Sequence, residues 1–266
     1  MSVATLEPGR AGWFTQTGQV MRRWLISTLR QVWGPAMSLI QPAIWIVLFG
    51  QVFRSLGRLP EFGSGGYIDY LIPGIMMMTV LYSGAWAGTG YVDDMKSGVL
   101  DQYLTSPVRR SAIVSGQLLQ QLLVGIAQSA IVLGIGWLVH ARYRGGILGV
   151  LVALGVATLL AAVFCCCSAA VAIASRSQVA LIGLSQIVVL PATFLSTTMM
   201  PATLMLAWVR AVSRWNPMTW AVELGRGALG GAYPAAGWWQ VVGLASLAAA
   251  AFLWALHSLA AYRRSM

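Results

Sequence analysis

Charged side chains are scarce in this sequence of 266 residues. Lys, Arg, Asp and Glu together make up 9% of it, whereas hydrophobic residues make up 58%. A soluble domain carries about 25% charged residues, and a chain of this size could not bury so much apolar surface in one core. The composition therefore excludes an ordinary soluble protein and predicts that a lipid bilayer surrounds most of the chain.

Acidic residues are rarer than basic ones, with seven Asp and Glu against 17 Lys and Arg, and Lys96 is the one lysine. The basic residues lie in short clusters between apolar runs, which is typical of membrane topology and not of nucleic-acid binding. We therefore expect no nucleic-acid partner. The preference for Arg, Ala, Gly and Val suggests a GC-rich bacterial genome, and hence the bacterial plasma (inner) membrane.

Motifs of catalysis and nucleotide binding are also missing. The sequence has no H-E-x-x-H, no G-x-S-x-G and no G-x-x-x-x-G-K-[ST], so it lacks the corresponding zinc, serine-nucleophile and phosphate sites. His140 and His257 are far apart, and the consecutive Cys165–Cys167 are interpreted as small residues buried in an apolar run. We expect no catalytic residue, cofactor or metal in this chain.

The acidic residues leave two other classes open. None lies in the middle of a predicted span, although proton- or sodium-coupled carriers usually need an ionisable residue at depth. A channel or carrier that works without ATP therefore remains an alternative. A membrane prenyltransferase is another, since such enzymes hold Mg²⁺ and a diphosphate on paired Asp-rich motifs, but only one cluster is present. That cluster comprises Asp93, Asp94 and Asp101.

Apolar runs predict an all-α membrane protein with six transmembrane helices. An amphipathic stretch, Trp13–Trp33, precedes them and predicts a helix lying on the membrane surface. Residues 1–33 form the predicted cytoplasmic N-terminus and residues 34–266 the transmembrane domain. The first 33 residues lack the features of a cleavable signal peptide, so the first span is expected to stay in the mature protein. The predicted spans are Gly34–Phe53, Tyr70–Val92, Ala112–His140, Ile147–Ala174, Val179–Met200 and Trp238–Tyr262.

Basic residues also predict the orientation. Six spans put both termini on one side, and cytoplasmic termini place the majority of the 17 basic residues inside, as the positive-inside rule requires. The pairs Arg22/Arg23, Arg109/Arg110 and Arg263/Arg264 all agree with that orientation.

The segment Pro201–Gly237 differs from the other connections because it is long and partly apolar. Its apolar stretch is too short to cross a bilayer, and Trp215 and Trp220 favour the membrane interface. We predict one or two short re-entrant helices here, before the last span. Glu223 and Arg226 are three residues apart, so they are expected to pair on such a helix.

The interval Asp93–Arg110 reads DDMKSGVLDQYLTSPVRR. It resembles the cytoplasmic loop of the ABC-2 type transporter permeases, the family that includes daunorubicin-exporter and nodulation-factor-exporter membrane subunits. It departs from the usual loop at Asp101, where Glu is common, and at Ser106, an additional residue before the proline. The matching positions are Gly98, Leu100, Leu104, Thr105, Pro107 and Arg109.

Two other stretches share the resemblance, which then covers almost the whole chain. Tyr70-Leu71-Ile72-Pro73-Gly74 is typical of the start of the family's second span. Asn216-Pro217-Met218-Thr219, followed by Glu223 and Arg226, is similar to the segment before its last span.

The resemblance implies the fold of a type V ABC exporter and its assembly. The chain would be one membrane half, working with two copies of a separate ABC ATPase that holds ATP and Mg²⁺, and with a second permease, identical or homologous. The pathway would lie between the permeases, in contact with membrane lipid. A drug- or lipid-like amphiphile is the expected cargo.

The resemblance also implies the site residues. A short coupling helix between spans two and three would contact the ATPase, with Leu100, Tyr103 and Leu104 as its apolar contacts, and the re-entrant helices would cap the pathway outside. The coupling residues are Asp94, Gly98, Leu100, Asp101, Tyr103, Leu104, Pro107 and Arg109, and the outer residues are Trp215, Asn216, Pro217, Glu223 and Arg226.

Overall fold

The computed structural model describes residues 12–30, 33–52, 66–232 and 237–264, with the backbone alone for residues 33–39. Most of the loop predicted between the first two spans, residues 54–65, lies outside these ranges. The described residues form helices and no strand, with a 3-10 turn at Ala202–Leu204. The helices are α1 (Trp13–Arg30), α2 (Trp33–Val52), α3 (Gly66–Trp86), α4 (Thr89–Lys96), α5 (Val99–Thr105), α6 (Arg110–Leu138), α7 (Gly146–Ser175), α8 (Gln178–Phe194), α9 (Ala207–Ser213), α10 (Pro217–Gly230) and α11 (Trp238–Arg264).

Four stretches of the described chain are long and apolar enough to cross a membrane. They are α3 with its continuation α4, α6, α7 and α11. The other two predicted spans correspond to α2, whose described side chains start at Ile40, and to α8, which has 17 residues. The prediction of an all-helical membrane protein is confirmed, and four of the six predicted spans meet the criterion of length and composition.

The second predicted span is interrupted where the sequence suggested one continuous helix. α3 ends at Trp86 and α4 begins at Thr89. The hydroxyl of Ser168 on α7 donates to the Ala85 carbonyl at 2.6 Å and accepts from the Gly88 amide at 2.9 Å. A Cβ on Gly88 would lie 2.4 Å from the Ser168 carbonyl oxygen, so only glycine allows this approach.

The fifth predicted span ends earlier than expected, at Phe194 and not at Met200. The Ser196 hydroxyl donates to the Thr193 carbonyl at 2.6 Å and accepts from the Thr198 amide at 3.3 Å. Hydroxyl side chains that bond nearby backbone groups compete with the helical ladder. The polar run after Phe194 therefore closes a turn, although its hydropathy allowed a longer helix.

The bundle is built around α7, which packs against α3, α6, α10 and α11. Helix α1 lies along α6, and Val20 approaches so closely that a Cβ on Gly116 would be 2.6 Å from its side chain. Phe14 and Leu29 on the other side of α1 are 83% and 67% exposed. An exposed apolar side of this kind is what a helix at a membrane surface presents to lipid.

Candidate functional site

The polar interval singled out in the sequence forms two short helices, α4 and α5, joined at Gly98. This α4–α5 hairpin, residues 89–105, follows the break after α3. Gly98 has φ +71°, in the left-handed region that favours glycine. Its amide donates to the Met95 carbonyl at 3.1 Å, and its carbonyl accepts from the Gln102 amide at 3.2 Å. Gly98 therefore forms the turn that reverses the chain between the two helices.

Leu100 and Leu104 hold α5 against the bundle. Both are buried in one cluster with Tyr91 of α4, Ile113 of α6 and Leu259 of α11. These leucines were expected to be apolar contacts for a partner, and that assignment does not fit a placement inside the chain's own core. The two leucines of α5 pack inward against the chain's own helices.

Asp94 joins the hairpin to the N-terminal helix. The Arg23 guanidinium contacts both carboxylate oxygens of Asp94, with 3.0 Å from Nη1 to Oδ1, and lies 5.2 Å from the centre of the Tyr103 ring. Burial disfavours the charged guanidinium, but the hydrogen bonds and charge of Asp94 outweigh burial, so the pKa of Arg23 is raised. The two-pronged pairing fixes α4 relative to α1.

Asp101 joins the hairpin to the C-terminal helix. The Tyr262 hydroxyl donates to Asp101 Oδ1 at 3.0 Å, and the Arg176 guanidinium lies 4.6 Å from the centre of the Tyr262 ring. Asp93 makes a third link, because Gln178 of α8 donates to its Oδ1 at 2.8 Å. The three aspartates thus take separate partners, and no group of three potential metal ligands is found in the described ranges.

The hairpin leaves a polar surface uncovered. Lys96, Gln102 and Thr105 are exposed. α5 ends at Thr105, and Ser106 is extended before Pro107, which is the conformation a following proline favours. The exposed positions here are Asp93, Lys96, Ser97, Gln102, Thr105, Pro107 and Arg109.

The chain reaches α6 through Arg109. Its amide donates to the Gln16 side-chain oxygen on α1 at 3.1 Å, and Trp13 donates to Ser111 at 3.0 Å. These bonds continue the contact between α1 and the hairpin region. The roles of Arg23, Gln16 and Tyr262 were missed from the sequence because each partner is more than 70 residues away.

The outer predicted residues lie at the other end of α3. Asn216 caps α10 by accepting from the Met218 amide at 2.9 Å, with Pro217 at the first helical position. Its amide nitrogen donates to the carbonyls of Ala192 and Leu195, at 2.8 and 3.1 Å. Asn216 therefore attaches the start of α10 to the end of α8.

Two tryptophans of the segment Pro201–Gly237 differ in their exposure. Trp215 is 79% exposed, as expected of an interfacial anchor. Trp220 is only 9% exposed and donates to the Arg214 carbonyl at 2.7 Å. The interfacial position predicted for Trp220 is therefore wrong, because its side of α10 faces the bundle.

Glu223 and Arg226 are bound to other groups and not to each other. Arg226 Nη2 donates to the carbonyls of Tyr70 and Thr197, both at 3.1 Å, and Gln240 donates to Glu223 at 3.0 Å. The predicted pair is wrong, because the guanidinium binds backbone carbonyls of α3 and of the turn after α8 instead.

A family model described as "ABC-2 type transporter" matches residues 15–229. The chain belongs to the ABC-2 type transporter family. It is therefore a membrane permease of ABC transport, and the family resemblance of the Asp93–Arg110 interval is confirmed.

Named relatives agree with this membership. The chain is similar to the daunorubicin resistance ABC transporter permease protein DrrB1 of Streptomyces coeruleorubidus, with 27% identity over 202 residues, covering 76% of this chain and 69% of that protein. It is 27% identical over 205 residues to the putative transport permease ycf38 of Porphyra purpurea, covering 73% and 68%.

A third relative is the probable doxorubicin resistance ABC transporter permease protein DrrC of Mycobacterium tuberculosis. It is 21% identical over 217 residues, covering 81% of this chain and 76% of that protein. All three relatives are named as permeases, and the drug-resistance names of two are consistent with an exporter permease subunit.

Proposed function

We propose that the α4–α5 hairpin is the element through which a separate ABC ATPase drives this permease. The exporter would contain two ATPase subunits, which bind ATP and Mg²⁺, and two permeases, either two copies of this chain or this chain with a homologue. The cargo would be a drug- or lipid-like amphiphile, and the location would be the bacterial inner membrane.

The proposal depends on one observation above all. The hairpin has an exposed polar surface that includes Lys96, Gln102 and Thr105, while its other face is fixed by the buried Leu100 and Leu104. An element that passes force from a soluble partner needs both properties: a surface that the partner can contact, and a firm attachment to the moving helices.

The attachments suggest where the motion would go. The pair between Arg23 and Asp94 joins the hairpin to α1, and the bond between Tyr262 and Asp101 joins it to α11. The break at Gly88 joins it to α3, where Ser168 of α7 holds the backbone. Displacement of the hairpin would therefore act on helices at three sides of the bundle.

Six spans would put both termini and the hairpin in the cytoplasm. In this topology α2 and α8 are the first and fifth spans. Their outward side chains are apolar, with Val47 62%, Ile187 70% and Phe194 58% exposed. An apolar surface of this extent fits contact with lipid and with a second permease.

The test is purification of the solubilised chain from its native host, followed by an ATPase assay. We expect a P-loop ATPase to co-purify with it. Thr105→Arg should reduce the recovered ATPase activity by about tenfold, because a bulky charge at the centre of an interface opposes docking. The matched control is Thr203→Arg, at an exposed threonine within the segment Pro201–Gly237.

Three results would contradict the proposal. The first is that the wild-type chain co-purifies with no ATPase. The chain would then be an ATP-independent carrier or channel, or a prenyltransferase. The second is that Thr105→Arg retains the full ATPase activity, which would show that the ATPase does not contact α5 at this residue. Equal loss in both variants would assign the effect to folding.

A further inference from the structure

One face of α6 carries four glutamines inside the bundle. Gln117 is 2% exposed, and Gln120, Gln121 and Gln128 are each 5% exposed. Their spacing puts them on one side of the helix. Buried amides within a membrane span are unfavourable unless they are bound, so such residues commonly mark a functional site.

These glutamines face a cavity of about 360 Å³ between α1, the α3–α4 break and α6. Its other walls are mainly hydroxyl-bearing and aromatic. Besides the four glutamines it is lined by Trp24, Ser27, Thr28, Ser83, Trp86, Ala87, Thr89, Gly90, Asp93, Asp94 and Val124. We call it the glutamine cavity.

Three of the glutamines that line the cavity donate hydrogen bonds through their amide nitrogens. Gln117 donates to the Ala87 carbonyl at 2.7 Å, Gln120 to the Thr28 hydroxyl at 3.0 Å and Gln121 to the Ser83 hydroxyl at 2.8 Å. These bonds fix the orientation of each amide through its nitrogen. Within the described ranges, the side-chain oxygens of these three glutamines accept no hydrogen bond, so the wall offers acceptors to a ligand that donates.

The charges of the cavity select against anions. Asp93 and Asp94 are part of its lining, whereas none of the described side chains that line it is Lys or Arg. Asp94 is paired with Arg23, while the described contact of Asp93 is with the neutral amide of Gln178. One carboxylate is thus left without a neutralising base, and a negative headgroup would be repelled.

A second, apolar cavity lies beside the first. It has a volume of about 50 Å³ between α2 and α3, and it shares Ser83 and Trp86 with the glutamine cavity. Trp45 and Tyr82 line it together with Ile75 and Met78. The first methylene groups of an acyl chain that extends from the glutamine cavity would meet this aromatic slot.

We propose that the glutamine cavity binds the headgroup of the transported amphiphile, and that the headgroup is rich in hydroxyl or ammonium donors and is not anionic. The apolar part begins at the aromatic slot beside Trp45 and Tyr82. The proposal rests on the exporter function proposed above, and it gives the substrate class and the residues that select it.

The test uses the permease in phosphatidylcholine nanodiscs without any ATPase. Three radiolabelled probes with the same dodecyl tail are titrated: dodecylammonium, dodecyl glucoside and dodecyl phosphate. We expect the first two to bind saturably, and the phosphate to bind at least about tenfold more weakly.

Variants assign the binding to the cavity. Gln117→Leu and Gln121→Leu should each weaken glucoside binding about three- to tenfold, which corresponds to one lost hydrogen bond. The matched control is Gln186→Leu on α8, which does not line the cavity and should bind as the wild type does. Asp93→Asn should weaken ammonium binding more than glucoside binding.

Gln121→Asn controls for misfolding, because it keeps a polar amide at this position. Its side chain is one methylene group shorter, so we expect it to weaken binding as well. The site is overturned if phosphate binds as tightly as ammonium, or if Gln186→Leu loses as much as Gln121→Leu. Binding without an ATPase separates the two proposals. If the chain binds the probes but recruits no ATPase, only the proposed exporter function is refuted. If it carries out ATP-driven transport without a headgroup preference, only the proposed headgroup site is refuted.

Discussion

The two ends of this permease are held by different kinds of contact. In the topology proposed above, the end with the α4–α5 hairpin is the inner end and the end with α10 is the outer end. At the inner end, side chains bind side chains of other helices: Arg23 with Asp94, and Tyr262 with Asp101. At the outer end, Arg226 and Asn216 bind backbone carbonyls. A side-chain pair can separate and be replaced by water or a new partner, whereas a freed carbonyl within a bundle stays unsatisfied. The inner contacts therefore suit movement, and the outer contacts fix one conformation.

The largest expected effect tests the outer end. Arg226→Leu removes the donor for the carbonyls of Tyr70 and Thr197. We expect it to lower the free energy of unfolding by about 2–3 kcal/mol, since two buried acceptors lose a charged donor. Unfolding by SDS titration in mixed micelles measures the change. Gln240→Leu, which removes one bond to Glu223, is the smaller neighbouring change. A stability equal to that of the wild type would show that the carbonyl bonds do not fix the outer end.

A middle-sized effect tests the turn of the hairpin. Gly98→Ala introduces a side chain at φ +71°, where a left-handed conformation costs about 1–2 kcal/mol. We expect reduced drug-stimulated ATPase activity with the partner, and Gly98→Asn should recover part of it, because Asn tolerates this conformation.

Gly134→Ala on α6 is the matched control for that change. It has no heavy atom within 4 Å of the added carbon and lies within a regular helix. Equal ATPase activity in the Gly98 and Gly134 variants would show that the turn has no part in coupling.

The smallest expected effect tests the inner pair. A double-mutant cycle with Arg23→Gln and Asp94→Asn should give a coupling free energy of about 1 kcal/mol, because the pair is partly exposed. In Arg23→Gln and Asp94→Asn, transport should fall by more than the small loss of stability explains. In Arg226→Leu, the loss of transport should be proportional to the loss of folded protein. The reverse order of effects would invalidate the distinction between the two ends.

Hydropathy predicted the long helices closely. α6, α7 and α11 begin and end within two residues of the predicted spans, because each is a continuous apolar run between polar turns. It failed at α8 and at the α3–α4 break, where Ser196 and Ser168 bind backbone groups. Such hydroxyl contacts depend on which helices become neighbours, and hydropathy carries no information about that.

The structure of the α4–α5 hairpin follows only in part from its sequence. Gly98 and the end of α5 follow from local turn chemistry. The inward placement of Leu100 does not, because an amphipathic helix looks the same whether it packs on its own bundle or on a partner. The aspartates were recognised as a group, but their partners come from α1, α8 and α11, and contacts between such distant residues cannot be derived from spacing.

The Ser168 bond at Gly88 has a mechanical consequence. α3 has 21 residues and α4 has eight, so at 1.5 Å per residue they extend about 31 and 12 Å from the break. If the break acts as a fulcrum, the far end of α3 travels roughly two and a half times as far as the tip of α4. A small displacement of α4 would then become a larger displacement of α3 at Tyr70. The hydrogen bonds from Arg226 would either break or resist this movement.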